Sequence, residues 1–261
     1  MNKIRYTVVL FSLFFALFAC VSFQERGGES LFQQRHYTFT ILHDLEMPNG
    51  PQLDIALTLL EINLPEHQTR FLHNVLYLHD TPEEFKDRII RDQRKLFREK
   101  EVSADSRWKY SERLSVISAR KEVISVKRKV ETFSGEGLSR AITRYYVLDL
   151  SRLRKITVDD LFGDFQGDDI RAAIYAELRR HHNISPDQSL TKGGFFSNEP
   201  ELSFNFFLTS AGLGLNWDPS AIAPQSLGAI EIIVPWREIR PFMIRNGIEL
   251  LTKFGIYLFA G

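Results

Sequence analysis

The chain has 261 residues, with 33 Lys and Arg against 33 Asp and Glu, and one cysteine. A lone cysteine excludes a disulfide framework and a structural zinc site built on Cys ligands. The basic residues of 88–100 and 120–129 are interleaved with acidic and apolar ones, which is the pattern of solvated faces rather than of a phosphate-binding stripe, so nucleic acid is not an expected partner.

Lys3 and Arg5 precede an apolar run from Val8 to Ala19 broken only by Ser12, the layout of a secretory signal. A bilayer-spanning helix needs about 20 apolar residues, so this run is too short to favour spanning. It ends in Leu17-Phe18-Ala19-Cys20, a small residue before a cysteine, as lipoprotein signal peptidase requires. Residues 1–20 are therefore expected to be a lipoprotein signal, with Cys20 the lipidation site and the mature chain held by its lipid on the extracytoplasmic side of a membrane. A plain cleaved signal and an uncleaved anchor are the alternatives. Removing the two basic residues of the signal from the 33-to-33 balance leaves a mature net charge of −2.

Residues 21–34, with Gly27-Gly28, form an expected tether. His36–Leu45 and Leu53–Asn63 are rich in β-branched and large apolar residues around Met47-Pro48-Asn49-Gly50-Pro51, which predicts a hairpin. Apolar residues at helical spacing predict a helix over 66–79. A second is expected over 82–99, with Thr81 as N-cap, Pro82 at the first position, Glu84 closing a capping box, and Phe85, Ile89, Leu96 and Phe97 as one buried stripe.

Alternation predicts three strands: Trp108–Ser118, Glu122–Phe133 and Ser139–Asp149, the last two joined at Ser134-Gly135-Glu136-Gly137, with one apolar and one wet face. A short helix at Thr157–Phe162 and a longer one at Asp168–His181 follow. Strands are expected at Leu202–Leu208, Leu213–Trp217 and Ala229–Val234. Pro235 then opens a helix through about Arg245, and Ile248–Phe259 is apolar without a decided period. Strands and helices come in runs, so the expected class is α+β, a largely antiparallel sheet with helices packed against it.

Candidate chemistry is sparse. His181 and His182 are adjacent on a helix, about 100° apart, which is poor for shared metal ligation. The acidic run Asp159, Asp160, Asp164, Asp168 and Asp169 lacks calcium-loop spacing and suits helix first turns. Neither a Gly-x-Ser-x-Gly elbow nor a phosphate-binding glycine loop is present. No catalytic residue, metal or cofactor is expected. The most suggestive surface is the Pro-rich stretch from Trp217 and Pro219 to Pro224, with Phe195, Phe196 and Trp236 as further aromatics. Such residues anchor protein partners or stack on sugars, although sealing the sheet edge is the commoner use.

Tyr146-Val147-Leu148-Asp149-Leu150, Ile156-Thr157-Val158-Asp159-Asp160-Leu161-Phe162, Phe207-Leu208-Thr209, Gly212-Leu213, Trp217, Pro219, Ile222-Ala223-Pro224, Gly228, Glu231, Val234-Pro235-Trp236 and Glu238-Ile239 occur in a distinctive order. In these features residues 121–246 resemble the extracytoplasmic domain of RsiV-type anti-sigma factors and the accessory domain of PdaC-type peptidoglycan deacetylases. Residues 35–120 resemble the weaker N-terminal portion of that domain, and 247–261 form a tail. Where the family carries a Gly-Gly-Ala-His-like turn this chain has Gly135-Glu136-Gly137-Leu138, so a role tied to that histidine is not carried over. The resemblance implies a free-standing, non-enzymatic sensor or binding domain on a lipid tether. Its implied ligand is an envelope protein such as a lysozyme-like muramidase, or peptidoglycan. A hydrolase of envelope glycans or esters, drawing on His181, Asp164 or Glu136, is the alternative.

Overall fold

The computed structural model describes residues 30–43, 50–100, 106–120, 122–137 and 139–255. Cys20 and residues 21–29 of the expected tether lie outside them, and the last three tether residues, Phe32–Gln34, already belong to the first strand. The chain starts with an antiparallel pair, β1 (Phe32–Leu42) and β2 (Gln52–Ile62). Two helices follow, α1 (Glu66–Leu76) and α2 (Pro82–Glu99). They lie in the crossover that lets β3 (Arg107–Arg120) run parallel to β2, since parallel neighbours need a long connection. β4 (Val123–Ser134), β5 (Arg140–Asp149) and β6 (Arg154–Ile156) then meander antiparallel, completing a six-stranded sheet in the order β1-β2-β3-β4-β5-β6.

The start of α2 is set by the sequence as expected. Thr81 Oγ1 accepts from Glu84 N–H, and the Glu84 carboxylate accepts from Thr81 N–H at 2.8 Å. We expect Thr81→Ala to lower stability by about 1 kcal/mol in thermal unfolding, the usual cost of losing an N-cap. The predicted stripe holds in part. Phe85 and Phe97 are fully buried, Ile89 is half-buried, and Leu96 is exposed.

On α1, Leu72 and Leu76 are fully buried, each contributing about 1.5–3 kcal/mol relative to an exposed side chain. Tyr77, just past the helix, is buried as well. Its hydroxyl accepts from Leu60 N–H at 2.8 Å and donates to Leu60 O at 2.7 Å. That pair of bonds satisfies β2 beyond Thr58, the last residue paired with β3.

After a 3₁₀ turn at Val158–Asp160, α3 (Asp168–His181) matches its predicted limits, with Ile170, Ile174 and Leu178 buried. A second, three-stranded antiparallel sheet contains β7 (Phe206–Leu208), β8 (Gly212–Trp217) and β9 (Ile230–Pro235). The predicted strand 202–208 is thus only half formed. Ser203 and Asn205 spend their side chains on the backbones of Asn216 and of Thr143 and Tyr145. These side-chain bonds to distant backbone hold the segment in place of a strand ladder, and Phe204 is left exposed.

The helix expected from Pro235 to Arg245 is also broken. A single turn, α4 (Trp236–Ile239), gives way to a 3₁₀ turn at Arg240–Phe242, because Pro241 removes an N–H and its ring crowds the preceding turn. Met243 then bridges to Phe162, and Ile244 N–H donates to Leu161 O at 3.0 Å. α5 (Arg245–Lys253) settles the undecided period of the C-terminal segment as helical as far as Lys253.

The first sheet is covered on both faces at its β4–β5 end, not on one as the alternation suggested. Ile124, Val126 and Leu148 join the core beneath α1 and α2, whereas Val123 and Val147 join the core shared with α3 and the second sheet. Two buried serines pin the layers: Ser118 Oγ donates to Leu208 O at 2.6 Å, and Leu208 N–H donates to Ser125 Oγ at 3.1 Å. Gly214 lets the Phe207 ring lie against β8, since a Cβ there would meet that ring at 2.2 Å. Among the described residues, five α-helices and two mostly antiparallel sheets make the class α+β.

Candidate functional site

The alternation of β1 sends its odd-numbered side chains toward the helices, so Arg35 and Tyr37 reach the space beside the start of α2. There they line a groove of about 230 Å³ with Leu59, Glu61, His73 and Glu83. Arg35 meets Glu61 through two bonds, Nε to Oε2 at 2.8 Å and Nη2 to Oε1 at 2.6 Å. The Tyr37 hydroxyl donates to Glu83 Oε1 at 2.6 Å. Lys86 pairs with the same carboxylate and lies over the Tyr37 ring at 5.0 Å. Bonding to Lys86 and then to Tyr37 holds the Glu83 carboxyl below the usual range, and burial followed by the bond to Glu83 pushes the Tyr37 phenol up. These charges are already matched within the protein. An ionic ligand would have to displace a partner, whereas hydroxyl and amide groups could bond beside the pairs.

His73 is half-buried, and burial lowers its pKa against the weaker opposing pull of Glu84. Because the folded value lies below the unfolded one, about 6.5, His73 contributes stability above that pH and loses it as the pH falls through the folded value. Urea unfolding between pH 7 and 5 should show a fall in stability that is shallower in His73→Gln.

A second groove of about 290 Å³ runs between β5, β6 and the segment before β7, with Tyr145, Lys155, Asp159 and the exposed Phe204 in its lining. Nearby, Glu231 of β9 accepts a hydrogen bond from the Tyr145 hydroxyl and pairs with Lys127 at 3.0 Å. Glu231 was named in the sequence for its order alone; its partners lie more than 80 residues away and no local pattern announces them.

The aromatics singled out in the sequence do not share one surface. Trp217 is 5% exposed and its Nε1 donates to Glu201 O at 2.8 Å; Trp236 is 4% exposed and donates to Thr209 O at 3.0 Å. Phe195 is buried against His182, ring centres 4.9 Å apart. Pro219 is half-buried, while Phe196 and Pro224 are exposed, and Phe196 N–H donates to Ile222 O at 3.0 Å. The hydrolytic groups are also dispersed. Asp164 precedes α3 and His181 ends it, so a helix about 20 Å long separates them. Glu136 sits in the β4–β5 turn, and none of the three lines either groove. Among the described residues no three His, Cys, Asp or Glu side chains converge on a common point.

Residues 159–237 match the family model DUF3298, described as a protein of unknown function. The DUF3298 segment takes in α3, the whole second sheet and the first residues of α4, and it includes Glu231, Trp217 and Trp236. The β1–α2 groove lies outside it. Two solved structures of DUF3298 proteins share the fold across nearly their full lengths. One, from Bacteroides fragilis NCTC 9343, is 16% identical, covers 85% of this chain and 96% of its own, and has a TM-score of 0.71. The other, from Pseudomonas aeruginosa PAO1, is 14% identical, covers 82% and 95%, and has a TM-score of 0.57. The shared architecture therefore extends well beyond the DUF3298 segment into the six-stranded sheet. No curated protein matches the chain.

Proposed function

We propose that the chain is a membrane-tethered envelope lipoprotein whose α+β domain binds a protein ligand, a lysozyme-like muramidase, or peptidoglycan itself, without catalysing a reaction. The observation that carries this reading is the β1–α2 groove, whose charged groups are paired with one another rather than poised for proton transfer or nucleophilic attack. The signal ending at Cys20 supports the location. From Cys20 to Phe32 a fully extended chain reaches about 40 Å, so the domain would work close to the membrane that holds it. No described helix is long and apolar enough to cross a membrane.

Binding is tested by mixing a soluble fragment of residues 30–261 with lysozyme and, separately, with purified sacculi. Retention by one of them is the expected result, and retention by neither counts against both ligands. Tethering is tested with Cys20→Ser, which should move the protein from the membrane to the soluble fraction. An uncleaved anchor would leave it in the membrane.

A further inference from the structure

The two outer edges of the six-stranded sheet are treated differently. At the far edge β6 is three residues long, and the backbone of β5 beyond it is capped from within the chain. Thr143 N–H donates to Asp218 Oδ1 at 2.8 Å, Tyr145 N–H donates to Asn205 Oδ1 at 2.8 Å, and Asn205 Nδ2 donates to Thr143 O at 2.7 Å. β1 has no such cover among the described residues.

Its register runs from Phe32↔Ile62 to Leu42↔Gln52 without a shift. Asn63 N–H donates to Leu31 O at 2.9 Å and His43 N–H donates to Pro51 O at 3.0 Å, which assigns the odd-numbered backbone groups of β1 to β2. In an antiparallel ladder these groups alternate. The N–H and C=O of Gln34, His36, Thr38 and Thr40 therefore point away from β2, and among the described residues they have no partner. Long edges in natural proteins are blunted by proline, bulges, charges or cover. β1 is 11 residues long, holds neither proline nor bulge, and has Arg35 as its one Lys, Arg, Asp or Glu.

We propose that the outer edge of β1 is a strand-addition site for an extended segment of a partner polypeptide. In this mode main-chain bonds supply affinity and alternate side chains supply selectivity. On the helix side the added strand runs beside Arg35, Tyr37 and the start of α2, where the charges of Arg35 and Glu83 are already matched by Glu61 and Lys86. That side selects hydroxyl or amide side chains such as Thr, Ser, Asn or Gln at alternate positions, which bond beside the pairs. On the other side it meets Gln34, His36, Thr38 and Thr40, which suit Thr, Ser or Val. A second copy of this chain fits less well, because pairing two β1 strands puts Arg35, Tyr37 and Phe39 of the second copy on the helix side, none of them a small hydroxyl or amide side chain. The proposal rests on the reading of this chain as a binding domain and says which surface binds.

The test uses the full chain in detergent and a peptide, acetyl-Thr-Gln-Val-Gln-Val-Gln-Val-Thr-amide, with a control N-methylated at every second backbone nitrogen. The peptide should slow amide exchange at least tenfold at Gln34, His36, Thr38 and Thr40 and leave the odd-numbered residues of β1 unchanged, while the control should not. Thr38→Pro removes an outward N–H that β2 does not use, a position where an edge tolerates proline. It should weaken the peptide at least tenfold, and the methylated control stands in its place should that variant not fold. No slowing at the four amides, equal binding of the control, or protection already present in a peptide-free dimer would overturn the proposal. Lysozyme and sacculus retention, measured on the same samples, separates the two ideas. Retention without a peptide effect sinks strand addition alone, and loss of both sinks the binding-domain reading.

Discussion

Glu112→Ala is expected to lower the stability of the folded unit by about 3–5 kcal/mol, the range measured when one partner of a buried ion pair is removed. Glu112 is 1% exposed. It sits on β3 in phase with Tyr110 and Leu114, on the face covered by α1 and α2. The Tyr110 hydroxyl donates to its Oε2 at 2.5 Å, and Arg128 Nε of β4 pairs with Oε1 at 2.8 Å while its guanidinium lies over the Phe85 ring at 5.5 Å. Burial and the adjacent carboxylate push the Tyr110 phenol up, so it stays protonated as a donor. Removing Glu112 takes the carboxylate from Arg128, which is half-buried beneath α2 and left with Tyr146 as a polar neighbour, and leaves the Tyr110 hydroxyl without its acceptor. Replacing both partners, as in Glu112→Leu with Arg128→Met, removes the charges together and should recover most of the loss. Urea unfolding of the single and double variants decides the matter. A single variant within about 1 kcal/mol of the parent would mean that water reaches the pair and screens it.

That pair also marks where the sequence is readable and where it is not. α2 and α3 were placed to the residue, because capping at Thr81 and Glu84 and the apolar spacing of Ile170, Ile174 and Leu178 are local signals. Glu112 falls in step with the apolar residues Tyr110 and Leu114 on one face of β3, and Arg128 belongs to the 120–129 cluster, whose interleaved charges have the pattern of a solvated face. Neither residue declares its partner, since the pairing depends on the β3–β4 register and on the helices that close over it. The break at Pro241 was a local signal that the apolar residues around it outweighed. The candidate groove was the least legible part, because Arg35 and Tyr37 look like ordinary strand residues until α2, more than 40 positions later, brings Glu83 and Lys86 against them.

Trp217→Ala and Trp236→Ala should each cost about 3–5 kcal/mol in urea unfolding, the usual loss for a large aromatic in a core, whereas Phe196→Ala should change stability by no more than about 0.5 kcal/mol. All three belong to the aromatic set that the sequence offered as a binding surface, and the distinction rests on what each side chain touches. Both indole N–H groups are spent on backbone carbonyls, of Glu201 and of Thr209, and both rings lie in the core shared by α3 and the second sheet. Truncation leaves a cavity and an unpaired carbonyl together. Phe196, 61% exposed, loses little but contact with solvent. An indole serving as a ligand anchor would behave in the opposite way, leaving unfolding unchanged and abolishing retention on lysozyme or sacculi. Trp217→Phe sharpens the contrast, because it keeps most of the buried ring and removes the bond to Glu201. It should fall between the parent and Trp217→Ala in stability and, while folded, bind as the parent does.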